Sequence, residues 1–192
     1  MDGMARPDSA RDRILDAFQQ LLVTSGERSA TLDAVAAAAG VSKGGLLYHF
    51  ASKDALVEGL IGRVQAFVEA DDERMRTAEE GTVDYVIRSS VDSGSPFDEA
   101  LIAMSRLAQG SHEEARTALA SFRARWEAAI AASVGDPAIA RTIMLVSDGL
   151  YYNSTVLGAR ETRDTRDGAM DELIAVLSRL TPESGPAESS PH

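Results

Sequence analysis

Residues 31–53 read TLDAVAAAAGVSKGGLLYHFASK, and this stretch decides the fold. Leu32, Val35, Ala36 and Ala39 recur at i, i+3, i+4 and i+7, the spacing that lines apolar side chains along one face of a 3.6-residue helix. Thr31 precedes them, where its hydroxyl can accept from an N–H group that the first turn leaves without a partner. The small side chains of residues 36–39 let another helix come close. Gly40 stands where a helix end needs a left-handed residue. Val41 then offers an apolar plug, and Ser42 is placed to cap a second helix from Lys43 to about His49. Two short helices joined by a three- or four-residue turn predict a helix-turn-helix.

The second helix is unusual on its outer side. Leu46 and Phe50, four residues apart, can pack inward, which leaves Lys43, Gly44, Leu47 and Tyr48 on the opposite side. Gly44 and Gly45 each cost a helix about 1 kcal/mol relative to Ala, so their presence near its start predicts close approach of something bulky to the backbone. DNA meets that need. Lys43 can reach a guanine edge or a phosphate, Tyr48 and His49 can hydrogen-bond phosphates, and a helix start favours an anion. Ser52 is placed to cap a further helix beginning at Lys53, which would also point at phosphate. Plainer roles exist: Tyr48 as a packing residue, His49 as a surface histidine, both lysines as solvated charges. Lys43 and Lys53 are nevertheless the only lysines in the chain, and both fall in this stretch.

With the helix before it, over roughly residues 10–60, this segment resembles the DNA-binding domain of the TetR family of transcriptional regulators. The shared pattern is Thr31, then Ala39-Gly40-Val41-Ser42, Lys43-Gly44, Tyr48-His49-Phe50 and Ser52-Lys53-Asp54-Ala55-Leu56. Two positions depart from it: Gly45, where the family often has Thr or Ser, and Leu47, where it commonly has Tyr. Leu47 cannot bond a phosphate but can touch a thymine methyl, so the operator sequence does not carry over. The expected DNA-facing set is Thr31, Ser42, Lys43, Gly44, Gly45, Leu47, Tyr48, His49 and Lys53. The resemblance further implies a homodimer that places two such readers in successive major grooves of a palindromic duplex, and a small-molecule effector of unspecified identity.

Composition frames this reading. The chain has 192 residues, a formal net charge of -11 and no cysteine, which excludes disulfides, thiolate metal sites and a cysteine nucleophile. Neither a metal site nor a cofactor is expected. An acidic chain is not a default polyanion binder, but the charge is unevenly placed. Residues 28–53 hold three basic residues (Arg28, Lys43, Lys53) against one acid (Asp33), whereas residues 61–192 hold thirteen basic against twenty-two acidic. Few phosphate contacts predict specific binding with little affinity for random DNA. The opening residues MDGMARPDSARDR lack an apolar export segment, and no run of 18 apolar residues occurs. The expectation is a cytoplasmic protein without a membrane partner.

Outside the motif the pattern is helical throughout, predicting an all-α fold: an N-terminal three-helix helix-turn-helix domain plus a C-terminal helical ligand-binding and dimerisation domain. Residues 1–8, including Arg6, read as a flexible arm. Ile14, Phe18, Leu21 and Leu22 form a supporting helix between Ser9 and Gly26, and the reader spans residues 9–53. A long helix runs from Asp54 through Leu56, Leu60, Val64, Phe67 and Val68 toward Met75, opening the second domain, residues 54–180. Ser95-Pro96 with Asp98 and Glu99 starts a helix faced by Leu101, Met104, Leu107 and Ala108. Ser111 and Glu114 form a capping box for another, faced by Leu119, Phe122, Trp126 and Ile130. Asp136-Pro137 opens a helix whose Ile143, Met144, Leu145 and Val146 make it apolar nearly all round, predicting burial on two sides, one of them against a second subunit. The last stripe is Met170, Leu173, Ile174, Leu177 and Leu180, followed by a disordered tail, residues 181–192.

The candidate effector pocket is Met104, Phe122, Trp126, Asp148, Tyr151, Tyr152 and Asn153, an apolar and aromatic set with a few polar groups. Asp148 sits within an apolar run and needs a partner if buried: a helix end, a second subunit or a ligand. His112, Asp148 and Tyr151 could form an acid-base set, but no nucleophile elbow, metal spacing or phosphate loop accompanies them, and no catalytic residue is assigned. The leading expectation is a DNA-binding regulator, a repressor released by its effector. The alternative is a regulator whose C-terminal domain only dimerises or answers to a protein partner.

Overall fold

The computed structural model describes residues 9–91, 94–156 and 167–181. The expected arm (residues 1–8) and all but the first residue of the expected tail lie outside them. Among the described residues there are nine α-helices and no strand: α1 (Ala10–Ser25), α2 (Leu32–Ala38), α3 (Lys43–His49), α4 (Lys53–Thr77), α5 (Thr82–Ser89), α6 (Pro96–Gln109), α7 (Glu113–Val134), α8 (Pro137–Tyr151) and α9 (Asp167–Ser178). A π-helical turn, Tyr152–Val156, follows α8. The all-α expectation holds.

Local sequence explains where these helices start and stop. Ser9 and Asp12 form a reciprocal capping box at α1. Thr31 accepts from the Ala34 N–H at 3.2 Å and Ser42 from the Gly45 N–H at 3.0 Å, as their positions predicted. Beyond α2, Gly40 takes φ 64°. The Val41 N–H then donates to the Ala36 carbonyl at 3.0 Å and the Gly40 N–H to the Ala37 carbonyl at 3.2 Å. That paired closure satisfies the last carbonyls of α2 and turns the chain into α3. Ser52, Ser95 and Asp136 likewise accept from the first turns of α4, α6 and α8.

One start differs. Rather than opening with a box between Ser111 and Glu114, α7 begins at Glu113, and the Glu114 carboxylate takes the His112 ring at 2.9 Å. A side chain able to hydrogen-bond from the preceding residue competes with the hydroxyl at one residue's remove, and spacing alone does not decide between them.

By contacts the chain forms two compact units. Among the described residues the first comprises residues 9–68 and 94–121, the second residues 69–91, 122–156 and 167–181. This grouping describes packing and is a different matter from the functional division drawn at residue 53.

In the first unit α1 packs on α2, α3 and α6. Its core holds Ile14, Leu15, Phe18 and Leu22 from α1, Val35 and Ala36 from α2, Leu46 and Phe50 from around α3, and Leu56, Leu60 and Val64 from α4. Gly59 makes the α4 contact possible, since a Cβ there would lie 2.8 Å from Phe50 and 3.0 Å from Leu15. In the second unit α5 packs on α8 and α9. Its core joins Met75, Val86, Ile87, Ile130, Ile143, Met144, Leu150, Met170 and Leu177.

Candidate nucleic-acid interface

The outer face of α3 is what the sequence predicted. Leu46 and Phe50 are buried, while Lys43, Gly44, Leu47, Tyr48 and His49 are exposed, Tyr48 at 85%. A phenol that open is not a packing residue; its ring stands nearly perpendicular to that of His49, ring centroids 5.1 Å apart. Thr31 and Ser42 are also exposed, each holding a cap while its hydroxyl stays at the surface.

The two glycines have different reasons to be there. A Cβ at Gly45 would lie 3.2 Å from the Ser42 hydroxyl, so that glycine protects the cap of α3. A Cβ at Gly44 would meet nothing nearer than 4.0 Å, so no neighbour within the chain demands its absence.

Both lysines carry partners. The Lys43 ammonium pairs with Asp33 at 3.0 Å, with both side chains more than half exposed. Such a pair stabilises little, about 0–1 kcal/mol, and yields readily to a phosphate. Lys53 is more enclosed: its ammonium donates to the Glu27 carbonyl at 3.1 Å and meets the Glu27 carboxylate at 3.5 Å. The expectation that it simply points outward overlooked this internal anchor. Glu27 stands just after Gly26, and nothing in the local pattern marks it.

The seven candidate pocket residues have varied surroundings. Met104 is fully buried on α6 in the first unit, and Phe122 is buried on α7. Trp126 packs against the core of the second unit, and its indole faces the Asp71 carboxylate. Asp148, which would need a partner if buried, is exposed, and Arg123 donates to it from Nε and Nη2 at 3.1 and 2.8 Å. With the helix only partly covered at that point, a surface ion pair satisfies the acid. Tyr151 is half-buried and Tyr152 exposed. Asn153 lines an open groove of about 470 Å³ between α8 and α9, with Val146, Leu150, Leu173 and Val176. His112, imagined with Asp148 and Tyr151, is instead held by Glu27 and Glu114.

The sequence reading missed a polar group beside Trp126. The Tyr85 hydroxyl donates to Asp71 at 2.7 Å. Burial pushes the Asp71 carboxyl up, against the opposing pull of Tyr85, Arg74 and Trp126, and burial with the nearby carboxylate pushes the Tyr85 phenol up to about 12. Next to it Asp72 is buried, with Oδ2 taken by Arg125 and Oδ1 left without a hydrogen-bond partner. The signal was the acid pair in the middle of a helix with an apolar stripe, which the periodicity alone left unremarked.

An exposed, capped recognition helix braced from behind by α1, α2 and the start of α4 defines a DNA-binding helix-turn-helix protein. Known proteins agree. The family model for bacterial regulatory proteins of the tetR family matches residues 14–60, and that for a tetracyclin repressor-like C-terminal domain matches residues 80–178. The chain therefore belongs to the TetR family of transcriptional regulators, and is not an enzyme.

The HTH-type transcriptional regulator UidR of Escherichia coli strain K12 is 32% identical over 114 residues, which is 57% of this chain and 57% of UidR. The match thus spans little more than half of that relative. Among solved structures, Salmonella enterica GusR superposes with a TM-score of 0.67 at 22% identity, covering 94% of this chain and 99% of GusR. The multidrug binding protein EbrR, complexed with imidazole, gives a TM-score of 0.62 at 26% identity, covering 95% and 99%. Among the described residues no helix is long and apolar enough to cross a membrane.

Proposed function

We propose that the protein is a cytoplasmic repressor that binds a palindromic operator as a homodimer and leaves it when a small molecule binds. Residues 9–53 read DNA, and residues 54–180 bind the effector and dimerise. The observation that carries the reading is the outer face of α3, where Leu47, Tyr48 and His49 stand exposed beside Lys43 and an uncrowded Gly44. Thr31, Ser42, Gly45 and Lys53 complete the interface as caps and anchors. A single reader of this size contacts too little DNA for useful specificity, which favours two.

The second copy has a face to meet. Leu145, Tyr152, Val176 and Leu180 are large apolar or aromatic side chains left exposed on and around α8 and α9, beside the groove that Asn153 lines. Covering such a surface favours association. Effector binding is supported by the EbrR likeness, since EbrR is a multidrug binding protein seen with a small molecule. Within this chain, the Asp72 Oδ1 without a hydrogen-bond partner offers an acceptor for an N–H or O–H of such a compound. Phe122, Met104, Asp148 and Tyr151 keep their candidacy from sequence.

Selection of duplexes from a random pool, followed by anisotropy titration with and without a panel of small aromatic compounds, tests the proposal. The expected result is a palindromic site bound by two chains, with affinity lowered by at least one compound. A non-palindromic site bound by one chain would contradict it. Indifference to every compound would favour a C-terminal part that only dimerises or answers to a protein.

A further inference from the structure

The carboxylate of Glu27 joins two stretches of the first unit, the start of α4 and the turn between α6 and α7. It meets the Lys53 ammonium at the first residue of α4, the His112 Nε2 at 3.1 Å just before α7, and the backbone at Gly110, where a Cβ would lie only 2.1 Å from Oε2. Glu27 itself follows α1, and its carbonyl takes the Lys53 ammonium a second time. His112 is held on its other side by Glu114, at 2.9 Å from Nδ1. The His112 and Glu27 side chains are 11% and 25% exposed, which shields their contacts from solvent more than the Lys43 pair at the surface.

We infer that Glu27 is a positioning residue for DNA recognition: it ties the turn between α6 and α7 to the start of α4, and so fixes how α3 is presented. The physical route is short. Lys53 lies three residues beyond Phe50, the residue that closes α3, and Phe50 is wedged against Gly59 of α4. If the start of α4 shifts, Phe50 and the exposed face ahead of it shift with it. A displacement of the α6–α7 turn reaches the DNA-reading face through one carboxylate.

Both ring nitrogens of His112 face carboxylate oxygens, Nε2 that of Glu27 and Nδ1 that of Glu114, so the imidazole bridges the turn after α1 and the first turn of α7. Arg116 of α7 pairs with Glu113.

The test uses the full chain and the duplex that the wild-type protein enriches from a random pool. Glu27→Gln removes the charge at constant shape. Gly110→Ala evicts the carboxylate without touching any residue that faces DNA, because the crowded atom is the tip of a side chain that can swing away. Each is expected to weaken binding five- to ten-fold, with a melting temperature close to wild type. The double variant should be no weaker than either single one, since both remove the same contact.

Hydrogen exchange without DNA should show faster exchange at residues 43–56 in both single variants. Tighter binding by Glu27→Gln would mean that the carboxylate masks Lys53, and would overturn the inference. So would additive losses or unchanged exchange.

Discussion

Replacing Gly59 by alanine tests how closely α4 approaches the reader. An added Cβ would stand 2.8 Å from Cε1 of Phe50 and 3.0 Å from Cδ2 of Leu15. Carbon atoms pack at about 3.5–4.0 Å, so ring and leucine must withdraw by roughly 0.5–1 Å. Both are nearly sealed, at 3% and 2% exposure, and have little room to do so. Such overpacking costs about 1–3 kcal/mol. Alanine in place of a helix-interior glycine returns about 1 kcal/mol, which leaves a net loss of about 0–2 kcal/mol. Gly62, three residues further along the same helix, has nothing within 4 Å of its would-be Cβ. Gly62→Ala should therefore gain about 0.5–1 kcal/mol from the backbone alone. Urea unfolding of the two variants, compared at equal m-values, should separate them by about 0.5–3 kcal/mol, with Gly59→Ala at or below wild type and Gly62→Ala above it. If Gly59→Ala proved as stable as Gly62→Ala, the packing of Phe50 against α4 described above would be wrong.

Three other outcomes follow from the same geometry. Lys43→Ala should weaken DNA binding and lower the salt-dependence slope by about 2, one phosphate contact being lost from each of the two chains, with stability within about 0.5 kcal/mol of wild type because its pair with Asp33 is exposed; titrations at several salt concentrations and a thermal melt read both. Leu145→Asp places a charge on a side chain 60% exposed in the single chain, so it should leave the fold intact and shift sedimentation equilibrium from dimer to monomer. The Asp71 carboxyl is raised in the folded state by burial, so the folded chain holds that proton longer than the unfolded one. Its contribution to stability therefore falls as pH rises from the ordinary carboxylate value through the raised one. Asp71→Asn removes that loss, and the melting temperature of the variant relative to wild type should increase on going from pH 4 to pH 7; a constant difference would refute the cause given.

What could be read from sequence was local. Thr31, Gly40, Ser42, Ser95 and Asp136 each act on backbone groups within a few residues, so cap and turn chemistry placed the helix ends before any packing was known. The exposed face of α3 was legible for the same reason: a seven-residue helix with Leu46 and Phe50 turned inward has only one way to present Tyr48. What failed was non-local. For Asp148 the local pattern offered a helix end, a second subunit or a ligand as partner, whereas Arg123, 25 residues away, satisfies it at the surface. Lys53 looked free because its partner lies 26 residues upstream, in a turn without any pattern. His112 displaced Ser111 at the start of α7 because Glu27, 85 residues away, helps to hold its ring. Periodicity reports which face of a helix is apolar; it does not report which polar groups the fold will bring opposite one another.

The most direct measurement is the affinity of wild-type protein and Tyr48→Ala for the duplex selected from a random pool, together with the number of chains bound. Tyr48 is 85% exposed, so its truncation should leave the melting temperature unchanged. The account predicts a two-fold symmetric site, two chains per duplex, and a loss of about ten-fold or more with Tyr48→Ala, as two copies of a contact worth about 1 kcal/mol each are removed. Undiminished binding by Tyr48→Ala, or a site without symmetry occupied by one chain, would contradict it.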